Sequence, residues 1–144
     1  MSEGYSIITC QNVSETAVRD FIGECGGFDT DKDYQVGRLS IGDEHIWIYY
    51  SSNPNEEYEA ETIRLIERSL PTKPKAKIII EIGDGNNTEK LAAIFACKFL
   101  TKWESVVYES VSDKLLTRNE ICGLSEFGVG IVQNPSGAME ITES

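Results

Sequence analysis

Basic residues are scarce in this chain, and their scarcity excludes two classes of partner. The 144 residues contain 13 Lys and Arg against 24 Asp and Glu, which gives a formal net charge of -11. Binding to nucleic acid or to an anionic membrane surface requires clustered Lys and Arg, so we expect neither partner. A negative field instead speeds the encounter with a basic protein, and a basic protein is the partner that the composition favours.

Long apolar runs are absent from the sequence as well. The longest, "LAAIFAC", falls far short of the ~20 residues that a membrane-spanning helix needs. The start, "MSEGYSIITC", has neither the basic residues nor the apolar core of a secretory signal. We therefore expect a cytoplasmic protein.

Histidine is rarer still, and the groups that catalysis or metal binding requires are poorly represented. The single histidine, His45, lies in a predicted strand without a nucleophile motif or neighbouring metal ligands. We interpret it as a strand residue with a half-exposed ring. The sequence thus predicts no enzymatic activity, no cofactor and no metal site.

The four cysteines, Cys10, Cys25, Cys97 and Cys122, include no CxxC pair. Their spacing supports neither a zinc site nor thioredoxin-like chemistry. We expect reduced, partly buried thiols that pack as small hydrophobic residues.

Hydrophobic residues make up 40% of the chain, which is enough for the core of one domain. Patterns typical of strands occur in "YSIITC", "YQVGRLSIG", "EHIWIYYS", "AKIIIEIG" and "SVVYES". Patterns typical of helices occur in "NVSETAVRDFIGECGG", "SNPNEEYEAETIRLIERSLP" and "DGNNTEKLAAIFACKFLTKW". Gly42 and Asp43 suit a tight hairpin turn, and Pro54 suits the first position of the second helix, after Asn53 as its cap.

These elements follow the order β-α-β-β-α-β-α-β, which predicts an α/β (α+β) sandwich with a mixed sheet and helices packed on it. "LLTRNEICG" is interpreted as a short helix or turn, and "FGVGIV" as a candidate last strand. We expect a single domain over residues 1–133. The small, polar and acidic residues 134–144 predict a flexible C-terminal tail.

Three aspartates alternate in "FDTDKDYQVGRLS", as they do at the start of an EF-hand calcium loop: Asp29, Asp31 and Asp33. Such a loop requires a glycine where Tyr34 stands and a bidentate glutamate where Ser40 stands. The following residues also indicate a strand instead of a helix. We therefore interpret this segment as an acidic turn without calcium.

Further acids lie in the predicted hairpin turn and at the start of the second predicted helix. Carboxylates in a first helical turn suit the helix dipole, which accounts for only some of them. The acids either form a solvated face or, together with neighbouring tyrosines, present a surface to a basic partner. The candidate binding residues are Asp29, Asp31, Asp33, Tyr34, Asp43, Glu44, Glu56, Glu57 and Glu59.

The segment "IGDGNNTEK" lies between a predicted strand and a predicted helix, where backbone N–H groups often hold phosphate. It lacks the GK[ST] of a P-loop, and Thr88 stands where a dinucleotide-binding fingerprint has its third glycine. We interpret it as a strand-to-helix turn with a polar cap.

Residues 76–109, "AKIIIEIGDGNNTEKLAAIFACKFLTKWESVVYE", resemble small cytosolic immunity proteins of bacterial contact-dependent growth inhibition and polymorphic toxin systems. The shared pattern is a strand, a polar turn, a helix of the "LA..FA..F...W" kind, and a strand that begins with "VV". It is carried by Leu91, Ala92, Phe95, Ala96, Phe99, Trp103, Val106 and Val107.

This resemblance implies a non-enzymatic protein that binds a cognate toxin domain and blocks its active site. Many such toxins are nucleases with basic clefts, and a net charge of -11 suits an inhibitor of one. The alternative is a small-molecule-binding or regulatory α/β domain without catalytic activity.

Overall fold

The computed structural model describes residues 2–32, 35–55, 58–109 and 112–129. Within these ranges the chain forms seven strands and four helices. The strands are β1 (Ser2–Thr9), β2 (Phe28–Lys32), β3 (Gln35–Ile41), β4 (Glu44–Ser51), β5 (Ala76–Ile82), β6 (Ser105–Glu109) and β7 (Lys114–Leu116). The helices are α1 (Glu15–Glu24), α2 (Ala60–Arg68), α3 (Thr88–Lys102) and α4 (Arg118–Val129).

All seven strands belong to one sheet, in the order β2-β3-β4-β5-β1-β6-β7. The α+β class predicted from the sequence is confirmed. The sheet, however, is antiparallel at every pairing and not mixed. Strands β5 and β6 do run in the same direction, with α3 connecting them, but β1 lies between them and pairs antiparallel with both.

One face of the sheet is covered by α1, α3 and α4 and holds the larger core. Helix α3 is deeply buried, as its sequence predicts, with Phe95 and Phe99 fully enclosed. Their rings pack with each other at a centroid distance of 6.3 Å and with those of Phe21 and Trp103 at 4.6 to 5.6 Å. Aromatic packing of this kind fixes α1 and α3 against each other.

The other face is covered by α2 only in part. Ile66 of this helix and Leu70, just after it, pack in one cluster with Ile8 of β1, with Cys10 just after β1, and with Val106 of β6. Over β3 and β4 no helix of the described ranges packs on this face, and side chains such as Trp47 remain partly exposed. Among the residues that the structure describes, the part of this face over β3 and β4 is therefore uncovered.

The acidic turn predicted over residues 29–33 is wrong for its described part, which is the edge strand β2. Phe28 and Asp29 pair with Arg38 and Gly37 of β3. Arg19 of α1 also holds the strand, since its Nη1 donates to Thr30 O at 2.6 Å. These distant contacts outweigh the local preference of aspartates for turns.

Helix α2 begins at Ala60, so the predicted start at Asn53 and Pro54 is wrong. The Asn53 N–H instead donates to Ser51 Oγ at 3.1 Å, and Pro54 is buried in the turn that follows β4. Tyr58, the first described residue after Asn55, packs its ring on that of Tyr108 with the centroids 5.2 Å apart. Tertiary packing thus delays the start of the helix.

The region after β6 contains β7 and the long helix α4, where the sequence predicted a short helix or turn. The candidate strand "FGVGIV" is wrong for residues 127–129, which are helical; the rest of it and the predicted tail 134–144 lie outside the described residues. A capping box explains the helix, because Glu120 Oε1 accepts from Thr117 N at 2.8 Å and Thr117 Oγ1 accepts from Glu120 N at 3.3 Å.

Candidate functional site

The structure places four of the predicted binding residues with their side chains. Asp29, Asp43 and Glu59 are exposed, whereas Glu44 is partly buried. Asp31 lies in β2, and nothing is described of its side chain. The other predicted residues lie outside the described residues: Asp33, Tyr34, Glu56 and Glu57.

The predicted acids do not form one surface. Asp43 immediately precedes the first residue of β4, and the eight residues of this strand span about 23 Å. Glu59 lies near the opposite end of β4. Its neighbour Tyr58 packs on Lys77, and Lys77 pairs with Ser51, the last residue of β4. The acidic hairpin and the acidic start of α2 are therefore separated by the length of the sheet.

Glu44 points inward and caps α3. Its Oε1 accepts a hydrogen bond from the Asn87 N–H at 2.7 Å. Gly85 has a φ of +131°, and a Cβ at this position would lie 2.3 Å from Glu44 Cδ, so only glycine admits the carboxylate. The strand-to-helix turn predicted for "IGDGNNTEK" is confirmed, and the protein's own carboxylate occupies the place that a phosphate would take.

The uncovered half of the sheet presents the side chains of one face of β2, β3, β4 and β5. We call this surface the open face; it comprises Phe28, Arg38, Ser40, His45, Trp47, Tyr49 and Glu81. Trp47 lies opposite Arg38 on one side and Glu81 on the other. Ile46 and Ile48 of β4 point to the opposite face of the sheet and are fully buried.

The open face combines aromatic rings with polar groups. Phe28 is 60% exposed, and the guanidinium of Arg38 lies 5.9 Å from the centre of its ring. The Arg38 Nε is enclosed and makes no hydrogen bond to any described residue. Tyr49 donates from its hydroxyl to Glu81 Oε1 at 2.6 Å. These contacts link large side chains of neighbouring strands.

His45 belongs to the open face, where its Nδ1 lies 2.6 Å from Ser40 Oγ. Its ring also packs near that of Trp47, with the centroids 5.9 Å apart. A catalytic triad would require a carboxylate that orients the histidine. In the described part of the chain no carboxylate is hydrogen-bonded to His45, and no cluster of His, Cys, Asp and Glu could hold a metal ion.

A cavity of about 620 Å³ lies at the other side of the molecule, where β1, the β5–α3 turn, β7 and α4 meet. We call it the Tyr5 cavity; its charged and polar lining includes Tyr5, Asp84, Glu89, Glu109, Ser112 and Lys114. Sequence reasoning singled out the β5–α3 turn but missed this cavity. No local pattern links Tyr5 to Glu109, which become neighbours only through the pairing of β1 with β6.

The expectation of four reduced thiols is wrong for two cysteines. Cys97 of α3 and Cys122 of α4 form a disulfide, while Cys10 and Cys25 are free. The prediction failed because α4 was not foreseen as a long helix packed on α3. Burial raises the pKa of the Cys25 thiol, which keeps it protonated at neutral pH.

No helix of the described ranges has the length and apolar character needed to cross a membrane. No protein-family profile matches the chain, and neither a curated protein nor a solved structure shows significant similarity to it.

Proposed function

We propose that this protein is an immunity protein that binds a cognate bacterial toxin domain and neutralises it by covering its active site. The observation that carries the proposal is the open face, a surface that combines Phe28, Trp47 and Tyr49 with Arg38 on a strongly acidic chain. The family resemblance of residues 76–109 supports the same reading. The proposed location is the cytoplasm, and the proposed partner is a basic nuclease domain.

The composition of the open face supports protein binding. Trp, Tyr and Arg are the residues that most often dominate the binding energy of interfaces, and Phe is enriched there too. Trp47 lies at the middle of the surface, between Arg38 and Glu81. Because a sheet and not a loop carries these side chains, their backbone is already ordered before binding, and the entropy lost in a complex is mainly that of the side chains.

The surrounding charge supports a basic partner. Glu81 lies within the open face, Asp29 lies on its edge strand, and Asp43 lies in the hairpin turn beside it. The net charge of -11 extends this negative field over the whole molecule. Such a field attracts a nuclease whose cleft is built to bind phosphate, and an inhibitor that covers the cleft replaces the nucleic acid.

The test is coexpression with the C-terminal domain of the large secreted protein whose gene we expect beside this one. Growth and pull-down are measured for the parent and for Trp47→Ala, with Leu65→Ala as the control. Leu65 is a large apolar residue of α2 that is 47% exposed and lies outside the open face. Circular dichroism establishes that each variant is folded.

We expect the parent to restore growth and Trp47→Ala to weaken the complex by about 2 kcal/mol, roughly 30-fold in Kd. Leu65→Ala should bind as the parent does. Absence of a complex with the parent would overturn the immunity function. Equal affinity of Trp47→Ala and the parent would show that another surface binds the toxin.

A small-molecule-binding domain is the second candidate, and one observation favours it. The volume of the Tyr5 cavity, about 620 Å³, falls within the range of small-molecule sites. A metabolite that raises the melting temperature of the parent, while no toxin domain binds, would favour this reading.

A further inference from the structure

Tyr5 is a core residue whose hydroxyl is not hydrogen-bonded to any of the described residues. Its side chain is 7% exposed, belongs to the core and lines the Tyr5 cavity. Within the described part of the chain its hydroxyl makes no hydrogen bond. The hydroxyl oxygen is not among the fully enclosed polar atoms that lack a partner, so it is accessible from the cavity, and a group that enters there can form a hydrogen bond with it.

Carboxylates stand around this hydroxyl. Glu109 lies directly opposite Tyr5 in the pairing of β1 with β6, and Glu89 lies in the first turn of α3. Burial raises the pKa of Tyr5 first, and the negative charges of Glu89 and Glu109 raise it further, which reflects their proximity. Glu109 Oε1 already accepts from the Ser112 N–H and from the Ser112 hydroxyl, and Lys114 lies opposite Glu109 in the pairing of β6 with β7. Glu89 therefore supplies the acceptor, and Glu109 adds to the negative field of the cavity.

The lining as a whole carries more negative than positive charge. Asp84 joins Glu89 and Glu109, and Lys114 is the one basic side chain among the lining residues. The N-terminus of α3 could attract an anion, but the Glu44 carboxylate already binds there, since it accepts from the Asn87 N–H. The cavity is therefore suited to a cation.

An apolar wall completes the cavity. Ile82, Leu116 and Leu124 line it, and Leu124 is 45% exposed despite its size. Such a wall accommodates methylene groups and leaves the charged head of a long side chain or alkylamine free to reach polar partners.

We propose that the Tyr5 cavity binds an ammonium or guanidinium group carried on an alkyl stem. The stem packs on Leu116 and Leu124, and the head donates to Glu89 and to the Tyr5 hydroxyl in the negative field of Glu109. A free alkylamine and a Lys or Arg side chain of another protein share this chemistry. The site does not depend on the immunity function, since it is defined in the isolated chain.

The test is an NMR titration of the ¹⁵N-labelled protein alone with three probes. Pentylamine represents the free amine, a tripeptide with blocked ends and a central lysine represents the protein side chain, and pentanol is the uncharged control. Each probe is titrated into the parent, Glu89→Gln, Tyr5→Phe and Glu61→Gln. Glu61 is the matched control, because it is an acid in the first turn of α2, away from the cavity.

We expect pentylamine to shift amides of Gly4, Gly85 and Glu109 saturably, and pentanol to leave them unchanged. Glu89→Gln should weaken binding about tenfold, as expected for the loss of one charged hydrogen-bond acceptor. Tyr5→Phe should weaken it less, and Glu61→Gln should leave it unchanged.

Binding of the tripeptide as well as the amine would indicate a protein side chain as the natural occupant, whereas binding of the amine alone would indicate a small molecule. The proposal is overturned if neither charged probe shifts the cavity amides. It is also overturned if pentanol binds equally well or if Glu89→Gln binds as tightly as the parent.

Discussion

Glu44 and Asn87 are joined by a hydrogen bond of 2.7 Å, although 43 residues separate them in the chain. The bond runs from the start of α3 to the side chain at the β3–β4 hairpin, so it ties the helix to the sheet. A glutamate that sequence reasoning assigned to a partner surface thus stabilises the fold. Its exposed neighbour Asp43 remains available to a partner.

The first prediction concerns this bond. Glu44→Ala removes a charged acceptor from a helix N-terminus, so the free energy of unfolding should fall by about 2 kcal/mol. The measurement is urea unfolding followed by circular dichroism. Asp43→Asn, its matched control, should change the stability by less than about 0.5 kcal/mol. If both variants lose the same amount, the capping role assigned to Glu44 is wrong.

Sequence patterns predicted the elements that local residues determine. Helix α1 begins after Ser14, whose Oγ accepts from Ala17 N at 3.1 Å, as its capping residue suggests. Helix α3 is buried because its residues are apolar nearly all the way round. A local signal was also missed at α4, where Thr117 and Glu120 form a capping box that is readable in "TRNE".

Elements that distant contacts determine could not be predicted. Strand β2 depends on its pairing with β3 and on Arg19, and the start of α2 depends on the packing of Tyr58. The same limit applies to the sites. The sequence shows which residues are acidic. It does not show that the Glu44 side chain turns inward or that α2 leaves Trp47 uncovered, because both depend on residues far away in the chain.

The second prediction concerns the kinetics of the proposed toxin complex. Because exposed charges steer the encounter, the association rate should fall steeply between low and physiological salt. Asp29→Lys and Asp43→Lys should lower this rate and leave the dissociation rate nearly unchanged. Trp47→Ala should raise the dissociation rate and leave the association rate nearly unchanged, because packing within a complex mainly determines how fast the complex dissociates. Surface plasmon resonance at several salt concentrations separates the two, and an association rate independent of salt would contradict steering.

The third prediction concerns the edge strand. Arg19 Nη1 donates to Thr30 O at 2.6 Å and to Val36 O at 3.3 Å, so this side chain holds β2 beside β3. Arg19→Ala should speed hydrogen exchange of the β2 amides while leaving those of β5 protected. Arg64→Ala, an exposed position of α2, is the control. Unchanged exchange in β2 would show that strand pairing suffices.

The fourth prediction concerns alkaline pH. The Tyr108 hydroxyl donates to Asp113 Oδ1 at 2.5 Å, and this hydrogen bond is the main cause that raises the pKa of Tyr108 to about 12. The folded state therefore holds the proton more tightly than the unfolded chain, whose tyrosines titrate near ~10. The resulting stability is complete below pH ~10 and is lost as pH rises towards about 12.

Asp113→Asn tests this assignment. Asn tolerates the positive φ of 57° at this position, so the turn should be preserved while the charged acceptor is lost. NMR titration of the tyrosine ring carbons should show a lower pKa for Tyr108 in the variant. A pKa that stays at its raised value would mean that another group, and not Asp113, is responsible.

The last prediction concerns the bond between Cys97 and Cys122, which closes a loop of 25 residues between α3 and α4. A thiol assay in denaturant should find two free thiols before reduction and four after it. Cys122→Ser should lower the free energy of unfolding by about 3 kcal/mol under oxidising conditions, because the crosslink restricts the unfolded chain. Cys25→Ser should behave as the parent does.

The redox state of the same cysteines in the cell tests the proposed location. Cytoplasmic thiols are kept reduced, so protein isolated from that compartment with its thiols alkylated at lysis should carry four modified cysteines. Four modified cysteines would mean that the protein works there with α4 held by packing alone, and Cys122→Ser would then retain full toxin binding. Two modified cysteines would show that the bond persists in the cell and would contradict a reducing location.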